Sequence, residues 1–180
     1  MTKNQGRATR GKISIRTAKP ADARHIEQLA RPYADRKILV DKRLIAYFED
    51  IQEFLVAVDE NGNVVGCGAL HVMWDDIGEV RTLAVLPSVR GQGVGSRLLT
   101  ALVSRARQLE LQRVFCLTFE VEFFSRHGFE PIEGMAVGVD VYTQMLASHD
   151  DGVKNFLELA SVKPNTLGNT RMMKTLTPPQ

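Results

Sequence analysis

The chain is poor in cysteine. Its 180 residues hold two, Cys67 and Cys116. Each lies in a strand-like apolar stretch, so neither a disulfide framework nor a cysteine metal cluster is available. Both read as small buried thiols, which points to a reducing, cytoplasmic setting. No uncharged apolar run approaches the roughly 20 residues that span a bilayer, so a membrane helix is not expected. The 14 glycines and 7 prolines follow no period, which excludes a collagen-like or low-complexity chain. His25, His71, His127 and His149 are dispersed, and no spacing predicts a metal site. Acidic residues are missing from the first 21 positions. Six cations stand there alone, leaving 17 cations against 21 anions in the remainder. This segment lacks the apolar core of a secretion signal. Residues 1–12 read first as a solvated, disordered basic tail; nucleic-acid binding is the less favoured alternative.

What remains is ordinary for one globular domain: 44% apolar and 24% charged residues. The domain is placed at residues 13–176, with residues 177–180 frayed. Residues 13–17 alternate as a strand. Pro20 and Asp22 open a helix with Ile26, Leu29 and Ala30 on one face, and Pro32 is expected to break it. Asp41 is expected to cap a second helix carrying Leu44, Ile45, Phe48 and Ile51. Strands follow at 53–58, 64–73 and 78–86, with Asn61-Gly62 as the hairpin signal and Pro87 as the stop. A long helix then carries Val94, Leu98, Leu99, Leu102, Val103, Ala106 and Leu109 on one stripe. Residues 113–119 form an almost wholly apolar strand, as a sheet centre requires. A short helix over 120–127 ends at Gly128, and 129–133 begin another strand. Residues 141–145 and 153–159 read as helical, and 170–176 as a last strand. The order gives an α/β (α+β) domain with a mixed, mostly antiparallel sheet of six to seven strands flanked by helices.

The strongest local signal is Arg90-Gly91-Gln92-Gly93-Val94-Gly95. Its glycines allow close backbone approach, and it enters the N-terminus of a helix, where free N–H groups and the macrodipole favour an anion. The spacing is neither Gly-x-Gly-x-x-Gly nor a nucleotide-triphosphatase loop. A phosphate cradle or a ligand-free glycine turn are the two readings of the loop by itself.

The loop has company. Leu83-Ala84-Val85, Pro87, the glycine loop, and Phe123-Phe124 followed by Gly128-Phe129 resemble the GNAT superfamily of acyl-CoA-dependent N-acyltransferases over roughly residues 13–133. The resemblance implies acetyl-CoA as co-substrate and no metal. It places Arg90, Gly91, Gln92, Gly93, Val94, Gly95 and Ser96 on the pyrophosphate. The backbone of Leu83, Ala84 and Val85 would pair with the pantetheine amides, and an N–H of this strand would polarise the thioester carbonyl.

Residues 78–85, 114–119 and 122–129 resemble the N-acetylglutamate synthases more closely, in the short, single-domain form seen in actinobacteria. The 31–40 loop and the ending at 165–176 are similar as well. That resemblance implies L-glutamate as acceptor, in the first step of arginine biosynthesis, by direct attack in a ternary complex. Glutamine, a polyamine or a protein N-terminus are the alternative acceptors, and a non-catalytic acetyl-CoA-binding module is the rival class. The longer synthases carry a kinase-like domain in front, so the usual seat of arginine feedback has no counterpart here. A homodimer is compatible with the fold. Only a neutral amine attacks a thioester, so a general base is required; Glu79 is the candidate, with a surface strand carboxylate as the plain alternative. Arg81 shares its strand parity and suits a substrate carboxylate, or else pairs with Glu79 itself. Thr82, Lys37 and Lys42 complete the expected acceptor side, with solvated surface the alternative for the lysines. Two departures stand out. Phe124 occupies the place of a proton-donating tyrosine, although a thiol with a pKa of about 8.5 departs tolerably unaided. Gly168 stands where a basic residue is expected.

Overall fold

The computed structural model describes residues 12–39, 41–133, 137–147 and 169–176. The basic tail through residue 11, Val40, the helix expected over 153–159, and Gly168 lie outside the described residues. Seven strands form one sheet: β1 Ser14–Thr17, β2 Phe54–Val58, β3 Val64–Val72, β4 Ile77–Val85, β5 Arg113–Thr118, β6 Glu130–Pro131 and β7 Thr170–Thr175. Their order is β1-β2-β3-β4-β5-β7-β6. Every pairing is antiparallel except that of β4 with β5. Among the described residues, five α-helices flank it: α1 Ala23–Ala34, α2 Leu44–Glu49, α3 Val94–Gln108, α4 Val121–Ser125 and α5 Val139–Met145.

The sheet is buried on both faces. On one, Leu98, Leu99, Leu102 and Ala106 of α3 pack on Leu55, Leu70, Val80 and Val114. On the other, Ile26, Leu29 and Ala30 of α1 pack on Phe54, Val56, Cys67 and Ala69. Met145 of α5 joins Ile77 and Phe115 further along that face, with Trp74 packed against them. The two thiols are fully inside, and burial pushes Cys67 up to about 12. α3 lies close on the sheet because β3 is stripped of side chains beneath it: a Cβ on Gly68 would stand 2.8 Å from Leu102 Cδ1. This packing brings the N-terminus of α3 up to the end of β4.

Four local expectations are corrected. Pro32 does not break α1, which runs through it to Ala34. Proline near a helix end removes one hydrogen bond and keeps a helical φ, while Leu29 and Ala30 hold the turn to the core and Asp35 N–H still donates to the Arg31 carbonyl. Asp41 does not cap α2; Arg43 occupies the N-cap, with no side-chain cap bond. The buried side of that helix is Tyr47, 3% exposed, followed by Ile51, while Ile45 and Phe48 face outward. A helix of six residues has too few turns for a stripe to fix its phase. The α3 stripe ends at Ala106. Leu109 is 49% exposed, and Leu111 closes the core instead.

Candidate functional site

β4 changes character halfway along. Its parallel ladder with β5 covers only Ile77, Gly78 and Glu79, opposite Arg113, Val114 and Phe115. Beyond that the two strands part. Against β3, Ala69 faces Arg81 and Cys67 faces Ala84, so β4 carries one extra residue there. The bulge is at Thr82, buried, with φ at 56°. A β-branched residue in the left-handed region costs about 1–3 kcal/mol, and its carbonyl is tied down by the Cys67 thiol at 3.5 Å. An extra residue inverts the alternation. Glu79 and Arg81 share a face, as their parity predicts. Past the bulge, Leu83 and Val85 pack on the α3 core and Ala84 joins the α1 side.

A cleft of about 520 Å³ opens where the strands part. Arg81, Thr82, Leu83, Ala84 and Val85 form one wall, and Leu117, Thr118 and Phe119 the other. Arg90, Gly91 and Gly95 of the glycine loop close one end, with Phe123, Phe124 and Arg126 beside them. Tyr33, Arg36, Ile38 and Leu39, from the end of α1 and the loop after it, complete the lining. Besides Arg81, three arginines line the cleft, Arg36, Arg90 and Arg126, against a single lining carboxylate, Glu120. Gly91 and Gly93 take φ of 73° and 76°, values that L side chains rarely adopt, and open space surrounds both. The loop therefore turns directly into α3, whose first amides have no intrahelical acceptor. Val94 is buried, and Ser96 lies on a shallow groove with Ile15, Arg97 and Thr100. Gln92, Gly93, Val94 and Ser96 do not line the cleft.

Behind the Arg81 wall lies a charge network. Glu79 is 5% exposed and does not itself line the cleft. Arg81 Nη1 stands 4.0 Å from its Oε2. Arg81 Nη2 donates to Glu53 Oε2 at 3.0 Å and lies 3.5 Å from Asp50 Oδ2. The other Glu53 oxygen meets His71 Nδ1 at 2.7 Å, and Lys42 Nζ bonds Asp50 at 3.0 Å. Burial pushes the Glu53 carboxyl up, but the bond to His71 and the Arg81 charge outweigh it and hold the group below its usual range. Lys42 therefore reaches the network through Asp50. Lys37 occupies a left-handed position after α1, φ 57°, and does not line the cleft. Phe124 does, its ring 5.2 Å from those of Phe123 and Phe129. His127 sits at the end of α4 with Nδ1 2.9 Å from the Phe123 carbonyl.

Sequence reasoning missed Tyr33, Arg36, Glu120, Arg126 and the partners Asp50, Glu53 and His71. The Tyr33/Arg36 pair has helical i,i+3 spacing, which becomes visible once α1 is carried through Pro32. The acidic partners come from elements distant in sequence and leave no local signal. Among the described residues, no cluster of His, Cys, Asp or Glu could hold a metal ion. No helix among them is long and apolar enough to cross a membrane.

Comparisons with known proteins fit this geometry. Residues 21–129 match the Acetyltransferase (GNAT) family. The chain is 52% identical over 164 residues to a protein named amino-acid acetyltransferase from Mycobacterium tuberculosis, covering 90% of this chain and 94% of that one. A protein of the same name from Neisseria meningitidis is 35% identical over 66% of this chain, which spans only 27% of that longer relative. Among solved structures, Rv2747 from Mycobacterium tuberculosis, in complex with CoA and NLQ, superposes with a TM-score of 0.86 at 51% identity, covering 91% of this chain and 99% of that one. The N-acetylglutamate synthase from Neisseria gonorrhoeae, complexed with coenzyme A and N-acetyl-glutamate, gives 0.73 at 27% identity, covering 94% of this chain and 36% of that one.

Proposed function

From the premise that this chain belongs to the GNAT acetyltransferase family, we propose that it transfers the acetyl group of acetyl-CoA to the α-amino group of L-glutamate. The observation that carries this reading is the fork of β4 and β5, with Glu79 and Arg81 at the crotch and the glycine loop at the far end of the same strand. The part of β4 that β5 leaves unpaired offers backbone N–H and C=O groups, which require partners. The extended pantetheine arm, with its two amides, fits as that partner along Leu83, Ala84 and Val85. The cationic end, with Arg90, Gly91 and Gly95 at the start of α3, suits the pyrophosphate. Gln92, Gly93, Val94 and Ser96 supply the backbone turn, and Phe124 bounds the slot.

The acceptor lies on the Arg81 side, beneath Ile38 and Leu39. Glu79 takes the ammonium proton, through a water since it stands behind the cleft wall. The amine nitrogen then bonds to the thioester carbonyl carbon, a β4 N–H near the Thr82 bulge polarises the oxygen, and the C–S bond breaks as the second proton leaves the nitrogen for the departing CoA thiolate. No covalent enzyme intermediate is needed. Arg81, held by Glu53, faces the acceptor carboxylate, with Lys42 linked to it through Asp50. The choice of glutamate leans on the similarity to synthases of that name and on the N-acetyl-glutamate complex of one of them.

L-glutamine is a second reading with an observation behind it. Asp50 and Glu53 already flank Arg81, so this wall offers less to a second carboxylate than an unflanked arginine would. Measuring CoA release with L-glutamate, L-glutamine and no acceptor separates the two. Release that depends on glutamate, with glutamine weaker, supports the main reading. The reverse order moves the substrate to glutamine, and no release with either defeats both.

A further inference from the structure

Tyr33 lies at the meeting point of the two halves of the cleft. Its hydroxyl donates to the Val85 carbonyl at 3.0 Å and accepts from Arg90 Nη2 at 2.9 Å. The Arg90 guanidinium carbon is 5.8 Å from the centre of the Tyr33 ring, within cation–π range. At its other end, the Tyr33 carbonyl accepts the N–H groups of Ile38 and Leu39, both of which line the cleft. One residue thus ties the end of β4, the first side chain of the glycine loop and the loop over the acceptor side.

Arg90 has reason to need this. It is exposed and sits on a loop whose next residue is a glycine at φ 73°. A long side chain in that setting loses about 2 kcal/mol of rotamer freedom when fixed. A fixed hydroxyl acceptor beneath it, itself anchored on a backbone carbonyl, removes part of that loss before the ligand arrives, which is preorganisation.

We propose that Tyr33 is a positioning residue for the phosphate end of the cofactor. It holds the Arg90 guanidinium at the cleft mouth, so that the phosphate oxygens meet an arginine already in place. The proposal rests on the reading of the glycine loop as the pyrophosphate site. It assigns no chemistry to Tyr33 and leaves the acceptor side to other residues.

The test is a double-mutant cycle of Tyr33→Phe and Arg90→Gln. It is read by calorimetric titration with acetyl-CoA, by both KM values and by the melting temperature. Tyr33→Phe keeps the ring and deletes the two hydroxyl bonds. The expected result is an acetyl-CoA dissociation constant raised roughly threefold to tenfold, the worth of one such hydrogen bond, with acceptor KM unchanged and only a small drop in melting temperature from the lost bond to Val85. In the Arg90→Gln background the same change should do nothing further. Unchanged affinity in Tyr33→Phe, an effect that persists undiminished without Arg90, or a drop in melting temperature with both KM values moving together each overturns the proposal. If Arg90→Gln weakens binding and Tyr33→Phe does not, only the proposal falls. If Arg90→Gln itself leaves binding unchanged, the reading of the loop falls with it.

Discussion

The two halves of β4 solve different problems with different means. Beyond Thr82, the candidate site is built mainly on backbone, a strand edge that β5 leaves, two left-handed glycines and a helix N-terminus within residues 83–96, with Arg90 as its charged side chain. Before Thr82, it is made of side chains. Arg81, 4.0 Å from Glu79, is held by Asp50 and Glu53, which Lys42 and His71 hold in turn, so that three further regions of the chain meet there. A backbone site tolerates most side-chain changes and fails when a dihedral angle is forced. A charge network keeps its fold when a dihedral relaxes and fails when a charge is removed. The bulge lets one strand serve both, because it turns the alternation over between them.

The sharpest way to break this contrast is at Glu79. Glu79→Gln removes the proposed base while keeping the shape, and kcat should fall about 10²-fold or more with both KM values near those of the wild type, checked by steady-state CoA release. A smaller effect is expected at Gly93. An alanine there forces a Cβ at φ 76° at a cost of about 1–2 kcal/mol, and acetyl-CoA binding should weaken roughly tenfold in a calorimetric titration. Glu53→Gln should do the opposite kind of damage. It loosens Arg81, and acceptor KM should rise about threefold to tenfold without change in acetyl-CoA affinity.

The smallest effect is in the acid limb of stability. The bond from Arg16 holds the Asp22 carboxyl below its usual range, and His71 with Arg81 does the same for Glu53 against the effect of burial. The unfolded chain therefore takes up these protons first as pH falls. The stability they contribute is complete above the pH where a free carboxylate titrates and is lost as pH drops through the lowered folded values. Thermal melting across that window should show a shallower decline for Asp22→Asn than for the wild type.

Legibility in the sequence follows the same division. The glycine loop, the meander, the apolar β5 and a mixed sheet of six to seven strands can be read because each is set by local rules: turn residues, alternation and helix entry. The pairing of Glu79 with Arg81 on one face is readable for the same reason. The bulge is not, since nothing in Arg81-Thr82-Leu83 marks a left-handed threonine; the register of β3 against β4 imposes it. The phase of α2 and the passage of α1 through Pro32 were set by packing on the sheet, which overrode capping and breaker signals. Tyr33 was hidden with that helix turn. Asp50 and Glu53, the other partners of Arg81, were invisible because they meet it only after the fold has formed.

The most direct test of the division is an initial-rate matrix, varying acetyl-CoA against L-glutamate, for wild type, Gly93→Ala and Glu53→Gln side by side. The account predicts intersecting lines for all three, as a ternary complex requires, with Gly93→Ala moving only the acetyl-CoA constant and Glu53→Gln only the acceptor constant. Parallel lines, or either variant shifting both constants alike, would contradict it.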